Sequence, residues 1–436
     1  MPYRVGFCSL GCKVSQYESE ALAERFAAAG FTVSDFDAVC DVYVINTCAV
    51  TVESDRKSRQ MIRRAIRVNP DAAVIVTGCS SQLHPDEVSS IRGVSYVSGN
   101  DRKMNLPEVA LELLSRPKTA AVNAVRDLAG VPFEPAAITK APRTRAFVKI
   151  EDGCNCRCAY CAIPLARGPV RSKAPSDVLE EVRALVSSGT REIVLTGIET
   201  AAYGVDLDGY RLVDLIEEVA NKTGVERIRL SSLAPEMMTP GVVRRLAGIG
   251  KLAPHFHLSL QSDSDAVLAG MRRPYRTKQV RDSVAALREA IPGVTFTTDV
   301  IVGFPGETEE YFRETVDFCR EARFLRLHVF PFSPRPGTPA ATFPDQVDGE
   351  TKRRRVRELV KVGRDVAKDL LSDLIAAEPP LSVLFETRDG EYMTGHSENY
   401  IEVRVKTDRD LAGQILPVLP ASLSPEGVTG IIKSNI

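Results

Sequence analysis

The chain has 436 residues, of which 44% are hydrophobic and 26% are charged, and its formal net charge is −1. These values are ordinary for a globular protein of two or three domains, and they exclude a disordered chain, a fibre and a uniformly basic nucleic-acid binder. There is no signal peptide and no apolar run long enough to span a membrane. The ten cysteines therefore indicate a cytoplasmic protein with free thiols and no membrane partner.

Strands and helices alternate in the first part of the chain. Residues 4–10, 42–47 and 72–77 have the apolar pattern of strands, and residues 18–29 have that of a helix. This alternation is typical of a doubly wound parallel sheet. We therefore predict an α/β domain over residues 1–125.

A cysteine follows each of these three strands: Cys12, Cys48 and Cys79. Ligands of doubly wound sheets bind beyond the carboxyl ends of the strands, so the three thiols are expected to meet there. We predict that they hold a 4Fe-4S cluster. The alternative is that they are small buried apolar residues, and this is the interpretation we give to Cys8, Cys40 and Cys319.

Two polar stretches follow. Residues 56–67 place six Lys and Arg residues on one predicted helix, which is either a solvated face or a surface that contacts phosphates. Residues 122–145 are rich in Pro and Ala and lack periodicity, which predicts a linker between domains.

A second group of cysteines lies directly after the apolar run 146–150. Cys154, Cys158 and Cys161 have the spacing C-x3-C-x2-C, which suits three ligands of a 4Fe-4S cluster with one iron left open. A structural zinc site is the alternative, although such sites usually have a second cysteine pair or histidines downstream. Cys156 fits neither spacing and is predicted not to be a ligand.

From residue 145 onward six predicted strands alternate with predicted helices, which indicates an open (β/α)6 partial barrel within residues 140–372. The predicted strands are 146–151, 192–197, 227–232, 255–260, 295–302 and 325–332. The predicted helices are 176–188, 212–222, 239–247, 279–290 and 308–322. Polar and glycine residues at the carboxyl ends of these strands are candidates to orient a ligand.

The end of the chain changes character. Residues 350–372 form a predicted basic helix, which is either a solvated linker or a surface that faces RNA. Residues 400–406 alternate apolar and charged side chains, which predicts a small antiparallel β-barrel over residues 375–436.

Several stretches resemble the methylthiotransferase branch of the radical S-adenosylmethionine (SAM) superfamily. They are Gly11–Glu18, Asn46–Val50, Thr77–Cys79, Gly153–Ser172, Glu192–Gly197, Ser259–Ser262, Met271–Tyr275, Thr298–Thr308 and Pro331–Pro339, and residues 381–386 with 395–400 resemble a TRAM domain. The resemblance covers essentially the whole chain. It implies two 4Fe-4S clusters, one held by Cys12, Cys48 and Cys79 and the other by Cys154, Cys158 and Cys161.

In that family SAM binds the open iron of the second cluster and is cleaved to a deoxyadenosyl radical. The cysteines of this cluster are therefore assigned the catalytic role, and the SAM contacts implied here are Tyr160, Thr196, Gly197, Gln261 and Asp299. Two positions depart from the usual pattern. Asp263 stands where glycine is usual, and Ala234 stands where glutamate is usual. The property that these departures would alter is the affinity for SAM or substrate.

The resemblance implies an enzyme that adds a methylthio group to carbon 2 of a hypermodified adenosine beside the anticodon of tRNA. Its expected partners are tRNA and a flavodoxin- or ferredoxin-type electron donor, whereas the sulfur donor stays unknown. One alternative is a methylthiotransferase that acts on an aspartate of a ribosomal protein. The other is a non-catalytic iron–sulfur protein that binds RNA, which two open irons disfavour.

The substrate branch is indicated by the motif Gly11-Cys-Lys-Val, which resembles that of relatives acting on threonylcarbamoyladenosine. This base carries a carboxylate that a cation can pair with. Lys13, Arg272 and Arg273 are the candidate cations. The modified base must also leave its stack to reach the reacting centre.

Overall fold

A parallel sheet with helices on both faces forms the first part of the computed structural model, which describes residues 2–117, 120–141 and 143–433. The strands are β1 (Arg4–Ser9), β2 (Thr32–Ser34), β3 (Val42–Thr47), β4 (Ala73–Gly78), β5 (Tyr96–Val97) and β6 (Val122–Asn123). The helices are α1 (Lys13–Ala28), α2 (Val52–Val68), α3 (Cys79–Leu83), α4 (Pro85–Ser89) and α5 (Leu106–Leu114). The strand order β2-β1-β3-β4-β5-β6 confirms the predicted doubly wound architecture.

The strands β3 and β4 are buried along their whole length, as expected for parallel strands covered on both faces. One difference from the sequence concerns α1, which begins at Lys13 rather than at residue 18. Residues 13–17 carry few apolar side chains, so their pattern alone does not indicate a helix. The earlier start places Cys12 immediately before the helix.

The segment 122–145, predicted as a linker, is mostly exposed but contacts both domains at several points. Its first residues form β6, which pairs with β5 at Tyr96 and Val122. The carbonyl of Ala136 accepts hydrogen bonds from Tyr17 Oη at 2.7 Å and from Lys173 Nζ at 2.8 Å. Pro142 lies outside the described residues. A two-residue strand is too short to produce a periodic pattern, which is why the sequence did not indicate it.

An open barrel of parallel strands follows. Its strands, with one short pair beside the cysteine loop, are β7 (Arg145–Lys149), β8 (Glu151–Asp152), β9 (Arg171–Ser172), β10 (Glu192–Thr196), β11 (Arg227–Leu230), β12 (Ser232–Leu233), β13 (His255–Gln261), β14 (Thr295–Val302) and β15 (Arg326–Pro331). Its helices are α6 (Ile163–Arg167), α7 (Pro175–Ser187), α8 (Leu212–Lys222), α9 (Pro240–Ala247), α10 (Asp265–Gly270), α11 (Thr277–Ala290) and α12 (Glu309–Glu321). The barrel consists of the sheets β11-β10-β7 and β12-β13-β14-β15, which confirms the predicted partial barrel. The strand predicted over 227–232 is divided into β11 and β12.

A long helix, α13 (Gly349–Ala377), crosses from the open barrel to the end of the chain. Several of its basic residues are paired within the protein. Arg354 Nη2 lies 2.6 Å from Glu309, and the buried Arg355 lies 3.2 Å from Glu307. These basic residues therefore stabilise the packing of α13 on the open barrel.

The chain ends in a small closed barrel of the strands β16 (Leu381–Asp389), β17 (Tyr392–Ser397), β18 (Glu402–Lys406), β19 (Ile415–Leu423) and β20 (Gly427–Ile432). A barrel was predicted, but one pair, β18 with β20, is parallel. The small barrel packs against the amino-terminal ends of the open-barrel strands, where Arg227 Nη2 donates to the carbonyl of Ser382 at 2.8 Å. Within the described ranges no helix combines the length and apolar character needed to cross a membrane.

Candidate active site between two cysteine triplets

The first cysteine triplet lies at one edge of the amino-terminal sheet. Cys12 follows β1, Cys48 follows β3, and Cys79 follows β4 as the first residue of α3. Gly78 makes this last turn possible, because its φ of +105° suits glycine and a Cβ there would lie 2.5 Å from the carbonyl oxygen of Thr47. Cys48 and Cys79 are buried, and Cys12 is exposed.

These three thiols face one another. A Cβ built on Gly11 would lie 3.2 Å from Cys48 Sγ, which places the Cys12 turn against Cys48. Burial raises the pKa of the Cys48 thiol, and the neighbouring thiols of Cys79 and Cys12 add to the increase. The parallel sheet therefore brings together the three residues that the spacing singled out.

Two N–H groups donate to Cys79 Sγ. They are Nε of Arg167, at 3.2 Å, and Nδ2 of Asn100, at 3.5 Å. Donors aimed at a sulfur stabilise its thiolate form, the form that binds iron. The donor set at this edge of the sheet thus fits an iron–sulfur cluster.

Arg167 belongs to the open-barrel region and is fully buried between the two domains. Its Nη1 donates to Glu18 at 2.6 Å and to Asp152 at 3.3 Å. Lys149 Nζ lies between the same carboxylates, at 2.8 Å from Glu18 and 2.7 Å from Asp152, and Lys103 Nζ lies 2.5 Å from Glu18. A buried ion network of this kind is costly to break on one side only.

The pKa values of these two carboxylates follow from this network. Burial opposes the ionisation of Glu18, but Arg167, Lys103 and Lys149 hold its pKa well below the ordinary value. The same balance, with Lys149 as the leading cation, lowers the pKa of Asp152 to about 2. Both carboxylates are therefore charged at neutral pH, and they fix Arg167 beside Cys79.

The second triplet lies on one loop between β8 and α6. The loop is pinned by backbone hydrogen bonds, among them Cys154 N to the Gly168 carbonyl at 3.0 Å and Ala159 N to the Met271 carbonyl at 2.9 Å. Gly153 is required before it, because a Cβ at that position would lie 2.0 Å from the carbonyl oxygen of Pro169. Arg273 Nη1 donates to Cys158 Sγ at 3.3 Å. This site also offers thiols and a guanidinium donor, which fits a 4Fe-4S cluster.

Cys156 lies within reach of the second triplet. A hydrogen bond with the Cys154 thiol lowers the pKa of Cys156 to about 6, although burial opposes this. The same contact, together with burial, raises the pKa of Cys154. The exclusion of Cys156 as a ligand therefore stays a prediction based on spacing.

The remaining cysteines lie in apolar surroundings. Burial raises the pKa of Cys8 to about 11, and Cys40 and Cys319 are buried in hydrophobic clusters. These environments favour the thiol form and agree with a packing role.

A cavity of about 240 Å³ lies between the two domains, next to Cys161. One wall is formed by the loop after Cys48 and the other by the second cysteine loop. The lining residues are Ala49, Val50, Thr51, Tyr160, Cys161, Ala162, Ile163, Ala166, Gln261, Asp299, Ile301, Phe330, Pro331, Phe332 and Ser333. The cavity is largely apolar, and a group bound in it would lie beside Cys161 and the residues that follow Cys48.

The five candidate SAM contacts are distributed unevenly. Tyr160, Gln261 and Asp299 line the cavity. Thr196 and Gly197 stand at the end of β10 and are not part of the cavity lining in the described part of the chain. At Gly197 a Cβ would lie 2.6 Å from Glu151 Oε2, so its lack of a side chain serves the packing of β8.

Four residues near the thiols were not singled out in these roles from the sequence: Asn100, Arg167, Glu199 and Arg273. Arg167 and Arg273 do fall inside stretches that carry the family resemblance. Burial raises the pKa of Glu199 to about 7, against the influence of Arg273, and the Cys156 thiol adds to the increase. An acid placed beside a cysteine loop by the fold has no signature in sequence.

Asp263, one of the two unusual positions, has a structural partner. Its Oδ2 lies 2.5 Å from Arg281 Nη2, and its backbone N–H donates to Thr315 Oγ1 at 3.0 Å. Ala234, the other, is buried, and two residues later Glu236 acts electrostatically on Cys156. Asp263 therefore joins β13 to the outer helices.

Comparison with protein families gives two matches. Residues 148–319 match the Radical SAM superfamily, and residues 4–99 match the uncharacterized protein family UPF0004. Among solved structures, the radical S-adenosylmethionine methyltransferase TsrM from Kitasatospora setae aligns with a TM-score of 0.57 at 16% identity, covering 78% of this chain and 77% of that one. At this identity the likeness establishes a shared fold.

Several curated proteins are similar over nearly the full length. The threonylcarbamoyladenosine tRNA methylthiotransferase MtaB of Bacillus subtilis (strain 168) is 42% identical over 420 residues, which is 95% of this chain and 93% of the relative. The protein of the same name from Aquifex aeolicus is 36% identical, covering 95% of this chain and all of the relative. A tRNA-2-methylthio-N(6)-dimethylallyladenosine synthase from Carboxydothermus hydrogenoformans is 34% identical over 83% of each chain.

Proposed function

The chain belongs to the radical SAM methylthiotransferase family, and we propose that it converts threonylcarbamoyladenosine beside the anticodon of tRNA to the 2-methylthio derivative. One observation carries this proposal. The cavity of about 240 Å³ touches Cys161 on one side and the loop after Cys48 on the other, so a single adenine ring inside it would lie beside Cys161 and next to the loop that carries Cys48. The relatives bearing the name of this activity extend over most of the chain.

We propose that each triplet holds one 4Fe-4S cluster and that Cys154, Cys158 and Cys161 leave an iron open for SAM. Tyr160, Gln261 and Asp299 contribute to the SAM site from the cavity, and Thr196 and Gly197 contribute from the adjoining strand end. When bound, the clusters and SAM supply the electron and radical chemistry that removes the adenine hydrogen. The chain itself supplies an apolar, water-poor enclosure and fixed donors to the sulfurs.

A row of arginines supports tRNA as the partner. Arg59, Arg63 and Arg67 lie on α2 at helical spacing, together with Arg56 and, across a groove of about 940 Å³, Arg92. In the described residues Arg59, Arg63 and Arg67 have no ion pair, so their guanidinium groups are available for phosphates. Because Thr51, which caps α2, also lines the cavity, this row begins near the cavity and extends away from it along the helix.

The small carboxy-terminal barrel is proposed to be a TRAM domain with a limited role in gripping RNA. Residues 381–436 hold five Lys and Arg against eight Asp and Glu. Its Tyr400 ring stacks on His255 of the open barrel at 4.5 Å and on His396 at 4.9 Å, so this face is used for packing between domains. A flavodoxin- or ferredoxin-type protein is the proposed electron donor.

The test compares two modified tRNAs as substrates in separate reactions. The purified protein, reconstituted with iron and sulfide, is given SAM, a reductant and tRNA that carries either threonylcarbamoyladenosine or isopentenyladenosine. Nucleoside mass spectrometry should find the methylthio product from the first tRNA alone. Product from the isopentenylated tRNA alone, or from a ribosomal protein and no tRNA, would contradict the proposal.

A further inference from the structure

Three side chains that can bind a metal ion meet on neighbouring strands of the open barrel. His257 lies on β13, Asp299 on β14 and His328 on β15, and Asp299 is the direct partner of His328 in the register of the sheet. Their ligand atoms all lie within 4.8 Å of one another. The whole chain has five histidines, so this convergence is not a consequence of a histidine-rich composition.

The spacing of these atoms matches that of ligands around one metal ion. His257 Nε2 lies 3.3 Å from Asp299 Oδ2, and His328 Nδ1 lies 3.2 Å from Asp299 Oδ1. In a tetrahedral zinc site, where bonds are about 2.0 to 2.1 Å long, neighbouring ligand atoms are about 3.3 to 3.4 Å apart. Two histidines and one carboxylate are also the donor set of many iron(II) sites. The three residues therefore offer both the donors and the spacing that a divalent transition metal requires.

Nε2 of His257 is a buried nitrogen that forms no hydrogen bond with any of the described residues. The side chain is only 9% exposed, and its other ring nitrogen, Nδ1, lies 2.9 Å from Thr297 Oγ1. Because Nε2 donates no hydrogen bond, the ring proton belongs on Nδ1, where Thr297 accepts it. The lone pair of Nε2 then faces the carboxylate of Asp299. Two electron-rich atoms that face each other away from water need a cation between them.

Thr297 fixes the His257 ring in this orientation. Its hydroxyl oxygen accepts the hydrogen bond from His257, and its hydroxyl proton can be donated to His255 Nε2 at 3.0 Å. Histidine ligands of metals usually donate their second ring N–H to an oxygen atom, which sets the tautomer and orients the ring. Thr297 is placed to do this for His257.

A metal ion can enter this place from solvent and from the cavity. The side chain of His328 is 45% exposed, and Asp299 lines the cavity beside Cys161. Three protein ligands leave at least one coordination position open. Water or an oxygen atom of a group bound in the cavity can fill that position.

The positive charges near this part of the barrel are largely compensated. Arg145 on β7 and Arg229 on β11 are paired with Glu192, at 3.8 and 2.8 Å. Lys13 interacts electrostatically with Asp299, and burial lowers the pKa of its ammonium group. These groups therefore oppose a bound cation less than free cations would.

We propose that His257, Asp299 and His328 bind a divalent transition-metal ion, with Thr297 as a positioning residue. The site is separate from both cysteine triplets. It also goes beyond the proposed function, because it does not depend on which RNA is the substrate. The alternative is that a proton takes the place of the metal ion, and a binding measurement distinguishes the two.

Electron paramagnetic resonance tests the site with Mn²⁺ as the probe. The protein is first reconstituted with iron and sulfide and kept oxidised, so that its clusters occupy the thiols and give no signal of their own. Free Mn²⁺ has a sharp multi-line signal that is lost on binding, and a titration therefore gives stoichiometry and affinity. We expect a single Mn²⁺ ion per chain and nitrogen coupling from imidazole in the pulsed spectrum. Zn²⁺ should displace the bound Mn²⁺, since such sites bind zinc more tightly.

Four variants locate the binding site. His257→Gln and His328→Gln should each weaken Mn²⁺ binding by more than about tenfold, and Thr297→Val should weaken it by about tenfold. His328→Gln is the variant least expected to disturb folding, because this side chain is half exposed. The matched control is His396→Gln, which removes a histidine bonded to another carboxylate, that of Glu386, at 2.8 Å. This variant should keep the native affinity.

Iron content and circular dichroism, measured on each variant, verify that it is folded and loaded. Unchanged affinity in both histidine variants, or bound Mn²⁺ without nitrogen coupling, would overturn the site. A native protein that binds neither Mn²⁺ nor Zn²⁺ outside its clusters would show that a proton holds these residues together. None of these measurements uses methylthiolation, so their failure leaves the proposed function untouched.

Discussion

Cys154, Cys158 and Cys161 lie on one short loop, whereas Cys12, Cys48 and Cys79 come from three strand ends of a parallel sheet. The two triplets also differ in the origin of their N–H donors. Cys158 receives its guanidinium contact from Arg273 of the same barrel region. Cys79 receives one from Arg167, which belongs to the other domain and is buried between the two.

The two cysteine triplets therefore depend on the tertiary fold to different degrees. The barrel site is built from local sequence and its own domain. The amino-terminal site needs a complete sheet and a correctly docked neighbour. Changes at the domain interface should therefore disturb the first triplet while sparing the second.

Removing the thiols themselves should have the largest effect. Changing Cys154, Cys158 and Cys161 together to Ala should leave about half of the roughly eight irons per chain and abolish SAM cleavage. Changing Cys12, Cys48 and Cys79 should also remove about half of the iron but spare SAM cleavage. Iron analysis and assay of deoxyadenosine measure the two outcomes, and a second triple variant with full iron would disprove the amino-terminal cluster.

The interface arginine should have an intermediate effect confined to one site. Arg167→Met leaves Glu18 and Asp152 with an incomplete set of cations, and breaking a buried ion network typically costs about 3 to 5 kcal/mol. We expect lower iron occupancy at the amino-terminal triplet with SAM cleavage retained. Denaturant unfolding measures the loss of stability. Iron content and a SAM-cleavage assay measure the effect on the amino-terminal triplet.

Arg273→Met is the matched variant, because it removes the corresponding donor from Cys158. It should impair SAM cleavage and leave the iron of the amino-terminal triplet in place. Identical behaviour of the two arginine variants would show that the sites are not independent.

Cys156 should have the smallest effect, and it is the most sensitive test of the loop. Cys156 is hydrogen-bonded to Cys154, so a shift of the loop by two residues would make Cys156 a ligand in place of Cys154. We expect Cys156→Ala to keep the full absorbance of both clusters, since the C-x3-C-x2-C spacing excludes it. A bleached Cys156→Ala protein beside a coloured Cys158→Ala protein would reverse the assignment.

The architecture was largely predictable because its signals are local. Alternating apolar runs and helical patterns indicated the doubly wound sheet and the open barrel. The spacing of Cys154, Cys158 and Cys161 alone indicated a cluster motif. The start of α1 at Lys13 and the two-residue strand β6 were missed, since polar or very short elements carry no periodic pattern.

The sequence by itself indicated the candidate cluster ligands, which are the two cysteine triplets. Only the tertiary structure decided what surrounds them. Arg167 next to Cys79, and His328 with Asp299 in the barrel lumen, are contacts between residues far apart in the chain. Such contacts depend on strand order and domain docking, which no local pattern of side chains encodes.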